Sequence, residues 1–258
     1  MNRPAAQGSL PTFVAASMIL RARHLAIACI LPLSLPLAAQ RDRRIVQENL
    51  PTFDLRPFHF GFLLSYNTSD LNVRMKPGVL TDTLLALDHI RQPGFNLGIV
   101  ASYNLNKNFS IRLLPTLSFQ ERKLQYTFLR TDGREVIFQK PVESTYLEFP
   151  VLAKFRSDRI NNFAVYLIGG GKFAIDMASQ KDVDNALDDE IVVKLAKYDY
   201  AAEVGGGFDM FLPYFKFGIE LKTSFGFPNL LIDDDTRFSR PIDSIRSKAW
   251  VLTFTFEG

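Results

Sequence analysis

Cysteine is all but missing. Cys29 is the only one, and it lies inside an N-terminal apolar run. The chain beyond that run can therefore form neither a disulfide nor a thiolate metal site. No stretch of about 18 apolar residues follows residue 40, which excludes a helical membrane span there. An excess of either charge is missing too. Arg3, Arg21 and Arg23 precede residue 40, where there is no acid, and setting them aside leaves 27 basic against 27 acidic residues. The pI of 8.9 is thus no argument for nucleic acid. Only His59 and His89 follow residue 40, and nucleophile elbows, phosphate-binding glycine loops and metal-spaced histidine pairs do not occur. A barrel enzyme acting on lipid acyl chains would need a His–Ser–acid set near one rim. His59 is its one candidate, and a packed histidine is the plainer reading. The expectation is a protein that is no enzyme, with no catalytic residue, no cofactor and no metal.

What the chain has in quantity is phenylalanine, 23 residues of it. It begins with a secretory pattern: Arg21, Arg23 and His24 precede an apolar run over 25–37, and small residues Ala38 and Ala39 suit cleavage. Residues 1–39 read as a signal peptide, with Met18 a possible true start. The stretch Ala26-Ile27-Ala28-Cys29 faintly resembles a lipoprotein cleavage box, but apolar residues continue past it. Residues 40–57, polar and carrying Pro51 and Pro57, read as a periplasmic linker, and 58–258 as one domain.

Within that domain apolar residues recur at every second position, the period of a strand whose side chains leave alternate faces. The pattern is clearest over 144–178. Thr145, Leu147, Phe149, Val151, Ala153 and Phe155 oppose Ser144, Tyr146, Glu148, Lys154 and Arg156. After a polar turn, Phe163, Val165, Leu167, Phe173 and Ile175 oppose Asn162, Tyr166, Lys172 and Asp176. The same alternation predicts strands over 58–66, 95–105, 109–119, 200–212, 215–227 and 250–257, with Pro115 interrupting the third. That makes eight strands. Their connections alternate long and short, the segments 67–94, 120–143, 176–198 and 228–248 being long. In the second of these, a hairpin is expected to project beyond the sheet.

The polar face carries charges of both signs on neighbouring strands, while the other face is rich in phenylalanine. A lipocalin-like soluble barrel would turn the phenylalanines inward and the charges to water. A transmembrane barrel does the reverse, with its apolar face on lipid and its polar face inside. The reading is all-β: an eight-stranded antiparallel transmembrane up-and-down barrel with a polar, self-filled interior, in the outer membrane with both termini periplasmic. Eight strands leave room for side chains only. The inward charges Arg112, Glu148, Lys154, Arg156, Lys172, Asp176, Glu203, Asp209, Lys216, Glu220 and Lys222 should therefore neutralise one another in an interior network. The glycines at 169–171 and 205–207 are expected to ease curvature or make room for bulky neighbours. Asp158, Arg159, Asn161 and Asn162 in a short turn are a candidate partner contact, or simply polar caps of a tight turn. The acidic run 182–190 reads as a solvated outer loop, with calcium binding the lesser alternative.

The words FGFLLSYNTSDL (60–71), QPGFNLGIV (92–100), RLLPTLSFQER (112–122), STYLEFPVLAKFRSDRINNFAVYLIGGGKFAIDMASQKDV (144–183), YFKFGIELKTSFGFPNLL (214–231) and IRSKAWVLTFTFE (245–257) resemble the PorT family. These are outer-membrane β-barrel proteins associated with type IX secretion. The resemblance implies a non-enzymatic part in assembling or operating the machinery that exports large cargo such as proteases and adhesins. Its partners would be outer-membrane lipid, other secretion-machine proteins and, during assembly, the barrel-insertion machinery. The alternative is a stand-alone surface barrel that adheres or binds ligand through its long outer loops.

Overall fold

The computed structural model describes residues 48–76, 84–130, 132–178, 193–234, 236 and 238–258. The leader expected over 1–39 and the acidic run 182–190 lie outside them. The strands are β1 (Phe58–Met75), β2 (Leu84–Asn104), β3 (Phe109–Leu113), β4 (Thr116–Leu129), β5 (Glu135–Arg156), β6 (Phe163–Asp176), β7 (Tyr198–Phe211), β8 (Lys216–Gly226) and β9 (Ile242–Glu257). All neighbours are antiparallel, and β1 pairs with both β2 and β9, so the sheet closes on itself.

Strands β3 and β4 are two halves of one barrel strand, each lying between β2 and β5. Pro115 separates them because it has no N–H to give the ladder. The ladder is carried past the break: Leu114 N–H donates to the Pro150 carbonyl at 3.0 Å, and the Pro115 carbonyl accepts from Ile99 N–H at 3.0 Å. The side-chain phase survives, since Arg112, Leu114, Thr116 and Ser118 are all buried. The barrel therefore has eight strands and an up-and-down order.

Its faces are inverted relative to a water-soluble protein. Along β1, Phe60 is 63% exposed while Asn67, seven residues on and therefore on the opposite face, is fully buried. Exposed Leu97, Ile99, Val165, Leu167, Val204 and Leu221 continue the apolar band around the wall. Stacked rings run across neighbouring strands, Phe62 on Phe256 at 4.7 Å and Phe95 on Phe119 at 4.6 Å. Such exposure is unfavourable in water and favourable in hydrocarbon.

The strands are longer than the apolar alternation alone indicates. Much of 67–94, expected as a long connection, is strand, with β1 running to Met75 and β2 starting at Leu84, while in 120–143 the expected projecting hairpin is present as continuations of β4 and β5. Period two persists there with its faces exchanged. Leu71, Leu124, Tyr126, Ile242 and Ile245 point inward and are buried with Leu195, Leu230 and Phe238, while Asn72, Arg74, Lys123 and Gln125 face outward. Beyond the apolar band the barrel thus becomes an ordinary water-soluble one, with a greasy inside capped by its own loops. Pro93 and Gly94 read as loop residues because they sit where the β2–β4 register shifts, between Arg91 and Phe95.

Above this level the β1–β2 ladder stops at Ser69 and Gln92. The two arms then diverge, β1 staying with β9 and β2 with β4. Asp70 spans the split, 2.7 Å from Arg91 and 3.3 Å from His89.

Two glycines separate steric need from its absence. A Cβ on Gly207 would lie 2.2 Å from the Ile219 carbonyl and 2.9 Å from the Tyr166 ring, whereas on Gly171 it would meet nothing nearer than 4.0 Å. Gly207→Ala is expected to cost about 1–3 kcal/mol through overpacking, and Gly171→Ala to cost nothing measurable. Urea unfolding of the two variants in lipid vesicles, followed by heat-modifiable gel migration, checks this.

Candidate functional site

The inward residues of the middle of the barrel build one continuous chain of alternating charge. Lys216 on β8 lies 2.8 Å from Glu257 on β9, which lies 3.3 Å from Arg112 on β3. Arg112 also donates to Glu220 on β8 at 2.9 Å. Glu220 is 4.0 Å from Lys222, Lys222 is 2.9 Å from Glu203 on β7, and Glu203 is 3.5 Å from Lys172 on β6. Lys172 ends the chain by donating to Glu148 on β5 at 3.0 Å. Beside it, Lys154 clasps both carboxylate oxygens of Asp209, at 2.7 and 3.0 Å, and its ammonium sits 3.6 Å above the Tyr166 ring. The Tyr166 hydroxyl donates to Glu220 at 3.2 Å. Every one of these ionic side chains is nearly or fully buried.

The alternation follows from the strand period and the barrel's width. Inward positions recur every second residue, so Glu220 and Lys222 are neighbours on one strand, as are Arg112 and Ser110. Across a barrel this narrow, side chains of their length reach the facing wall. Carboxylate and ammonium must then meet, because a buried charge without a partner costs several kcal/mol. Leu63, Val100, Leu114, Leu152 and Ile168 pack with the Tyr166 ring as an apolar patch. Uncharged polar side chains fill more of the wall, with Ser65 donating to Thr253 Oγ1 and Asn67 and Ser118 both donating to Asn96 Oδ1. Among the described residues, chambers of about 10 and 20 Å³ lie on the two sides of the charge layer, roughly one water each.

Two of the residues expected in this network stand elsewhere. The Asp176 carboxylate makes no ion pair among the described residues and instead accepts from Ala178 N–H at 3.0 Å. It lies at the last inward position of β6, two inward positions beyond Lys172. Arg156, at the opposite end, pairs at 2.8 Å with Asp54, which no strand of the barrel contributes. Conversely, Glu257 was readable as an inward residue of the final strand but not as the acid on which Arg112 and Lys216 converge, a fact of cross-barrel distance.

Asp54 belongs to a cork. Residues 48–57, expected as a linker, fold into the mouth of the barrel at the end of the short turns. Phe53, in a 3₁₀ turn (Phe53–Leu55), is buried. Its ring stacks on His59 at 3.8 Å and meets Phe211 edge-on at 5.9 Å, and the Lys216 ammonium stands 4.8 Å from it. Asp54 lies 2.7 Å from Arg159 as well as 2.8 Å from Arg156. Asn49 N–H donates to Asn162 Oδ1 at 2.7 Å, and its side-chain amide donates to the Phe211 carbonyl at 2.9 Å. Arg159 donates to the Asn49 carbonyl at 3.1 Å and lies 3.3 Å over the Phe211 ring.

The turn proposed as a partner contact is accordingly divided. Arg159 and Asn162 are engaged by the chain's own N-terminal segment. Asp158 stays exposed, 3.1 Å from Lys107. Asn161 occupies the left-handed region at φ 57°, a conformation asparagine tolerates, and so makes the turn. The histidine once eligible for catalysis, His59, is packed under the cork. No group of three or more potential metal ligands occurs among the described residues.

The sequence model of the outer membrane protein β-barrel domain matches residues 38–231, well over half of the chain. The chain belongs to this family. Among solved structures, the chain is similar to several outer-membrane proteins. Neisserial surface protein A is 10% identical, with 76% of this chain and 96% of that one covered and a TM-score of 0.41. OprG from Pseudomonas aeruginosa is 11% identical, with coverage of 78% and 94% and a TM-score of 0.42. Ail, the attachment invasion locus protein of Yersinia pestis, is 12% identical, with coverage of 79% and 100% and a TM-score of 0.34. Likenesses at this level do not bear on what the chain does. No curated protein matches it.

Two outcomes follow. Glu257→Gln leaves Arg112 and Lys216 facing a neutral amide, and is expected to cost about 3–5 kcal/mol. Adding Lys216→Met should return part of that loss, whereas Asp158→Asn should leave the urea midpoint unchanged. Asp54 gives a pH dependence. Burial pushes its carboxyl up, but the hydrogen bonds and charges of Arg156 and Arg159 outweigh it and hold the group below its usual 3.8. A depressed carboxyl stabilises fully above the unfolded value and loses that contribution as pH falls through the folded one. The cork should stay closed from neutral pH to about 4 and open below, read as lost hydrogen-exchange protection of residues 49–56 after correction for intrinsic rates.

Proposed function

We propose that this barrel is a non-enzymatic component of type IX protein secretion, needed to assemble or operate the machine rather than to conduct its cargo. The observation that carries the reading is the filled interior. A buried chain of ion pairs, chambers the size of single waters and a mouth closed by residues 48–57 leave no passage for a polypeptide. A barrel of this kind contributes by what it touches. The PorT-like sequence words over 60–257 support the assignment to this machine, and they take in every strand of the charge chain except β7. In the proposed orientation the short turns and both termini face the periplasm, where the other machine components would meet Asp158 and its neighbours. The extended, loop-capped half then stands on the cell surface.

That surface dome, with its own apolar core, is what a stand-alone adhesive or ligand-binding barrel would use instead. Deletion of the gene followed by cargo fractionation tells the two apart. Cargo retained in the periplasm, and released again when the wild-type copy is restored, is the expected result. Normal secretion from a strain whose parent carries the protein in its outer membrane would overturn the proposal in favour of the surface barrel.

A further inference from the structure

The short-turn mouth has a charge requirement that the barrel wall does not meet. The lysines of the interior each have a carboxylate from another strand: Lys216 has Glu257, Lys154 has Asp209, and Lys172 and Lys222 share Glu203. Arg156 and Arg159 do not. Their one carboxylate among the described residues is Asp54, which comes from outside the barrel, and both guanidinium groups are largely buried around it. Removing Asp54 would leave two buried cations side by side, an arrangement costing several kcal/mol. The same removal would uncover the faces of His59 and Phe211 on which Phe53 now rests. Two acceptors stand along one side, the Asn162 side-chain Oδ1 and the Phe211 carbonyl, and Arg159 donates to the Asn49 carbonyl beside them. The mouth is therefore a socket with an aromatic floor, a double-arginine clamp and polar groups that hold both the backbone and the side chain of Asn49.

We propose that this socket is a peptide-binding site for a partner protein that presents an aromatic residue followed by a carboxylate, and that residues 49–56 occupy it in cis until the partner displaces them. The inference rests on the reading of the barrel as a machine component and names the chemistry of the contact. The cis occupant defines what fits. The ring fills the space between His59 and Phe211, the acid satisfies Arg156 and Arg159, and the preceding backbone bonds to Asn162. A free carboxylate would satisfy the clamp but leave the floor wet, and an apolar segment would strand both arginines. The tie holding the cork is short and local, so exchange needs no change in the barrel. Arg159 and Asn162, half of the turn singled out by its polar composition, are then partner-contacting residues only after the cork has left.

The test uses the full-length protein folded in detergent or lipid vesicles and a fluorescent synthetic peptide copying residues 49–56. Binding is read by anisotropy against the wild type and against the Phe53→Ala/Asp54→Asn variant, whose barrel is checked by heat-modifiable migration. The released variant is expected to bind the peptide at least 10-fold more tightly than the wild type. Adding Arg159→Ala should abolish that binding, and a peptide with Ala and Asn at the two anchor positions should not compete. Asp54→Asn alone serves where the double variant does not assemble. A folded, released variant that fails to bind, that binds regardless of Arg159, or that binds the altered peptide equally well would overturn the proposal. Because the measurement uses purified protein, its failure is separate from normal secretion in the deletion strain, which would count against the machine assignment itself.

Discussion

A charge sealed inside an eight-stranded barrel cannot reach water, and the rest of this structure follows from that constraint. The barrel is too narrow for a solvent column, so the inward lysines and Arg112 find carboxylates on other strands, while the buried Arg122 donates to the Ser144 and Tyr146 hydroxyls. The result is the run from Lys216 through Glu257, Arg112, Glu220, Lys222, Glu203 and Lys172 to Glu148. It stitches β3, β5, β6, β7, β8 and β9 together by side chains as well as by the backbone ladder. Tyr166 crosses the space between the two charge groups, and Gly207 is glycine because that ring and the Ile219 carbonyl fill the position of a Cβ. The outer wall depends on none of this and needs only to be apolar.

The molecule solves one burial problem twice with opposite chemistry. In the band where phenylalanines meet lipid, the inside is ionic. Where the outward side chains become Asn72, Arg74 and Lys123, the inside becomes Leu71, Leu124 and Tyr126. Apart from the register shift in β2 between Arg91 and Phe95, the strands run through the crossover in the same direction, and what changes is the solvent outside. A continuous ladder thus joins a membrane protein to a small soluble one. The split between β1 and β2 above Ser69 is the place where that second half gives up full closure.

The two ends of the barrel are closed in different ways. At the dome, loops contribute Leu195, Leu230 and Phe238 to an apolar core that holds by area. At the short-turn mouth the cork holds by a few directed contacts to Asp54, Phe53 and Asn49. Apolar closure is spread over many side chains and has no single point of release. Directed closure depends on a handful of groups, one of them titratable, which makes the mouth the end suited to exchange.

Period two and the placing of charge against phenylalanine were enough to determine strand number, the inverted faces and membership of the outer-membrane barrel class. These are local properties, legible because each residue's face depends only on its parity along the strand. Pro115 was legible for the same reason, as a break that keeps the phase. Strand ends were not legible, because the apolar face changes sides beyond residue 67 and the alternation looks lost when only its solvent has changed. Nor were the pairings. That Glu257 joins Arg112 and Lys216, that Asp176 stands apart, and that Asp54 reaches Arg156 and Arg159 depend on the distance across a closed cylinder. Arg112 and Glu257 meet there across 145 positions and Ser65 and Thr253 across 188, and closure alone decides which residues do.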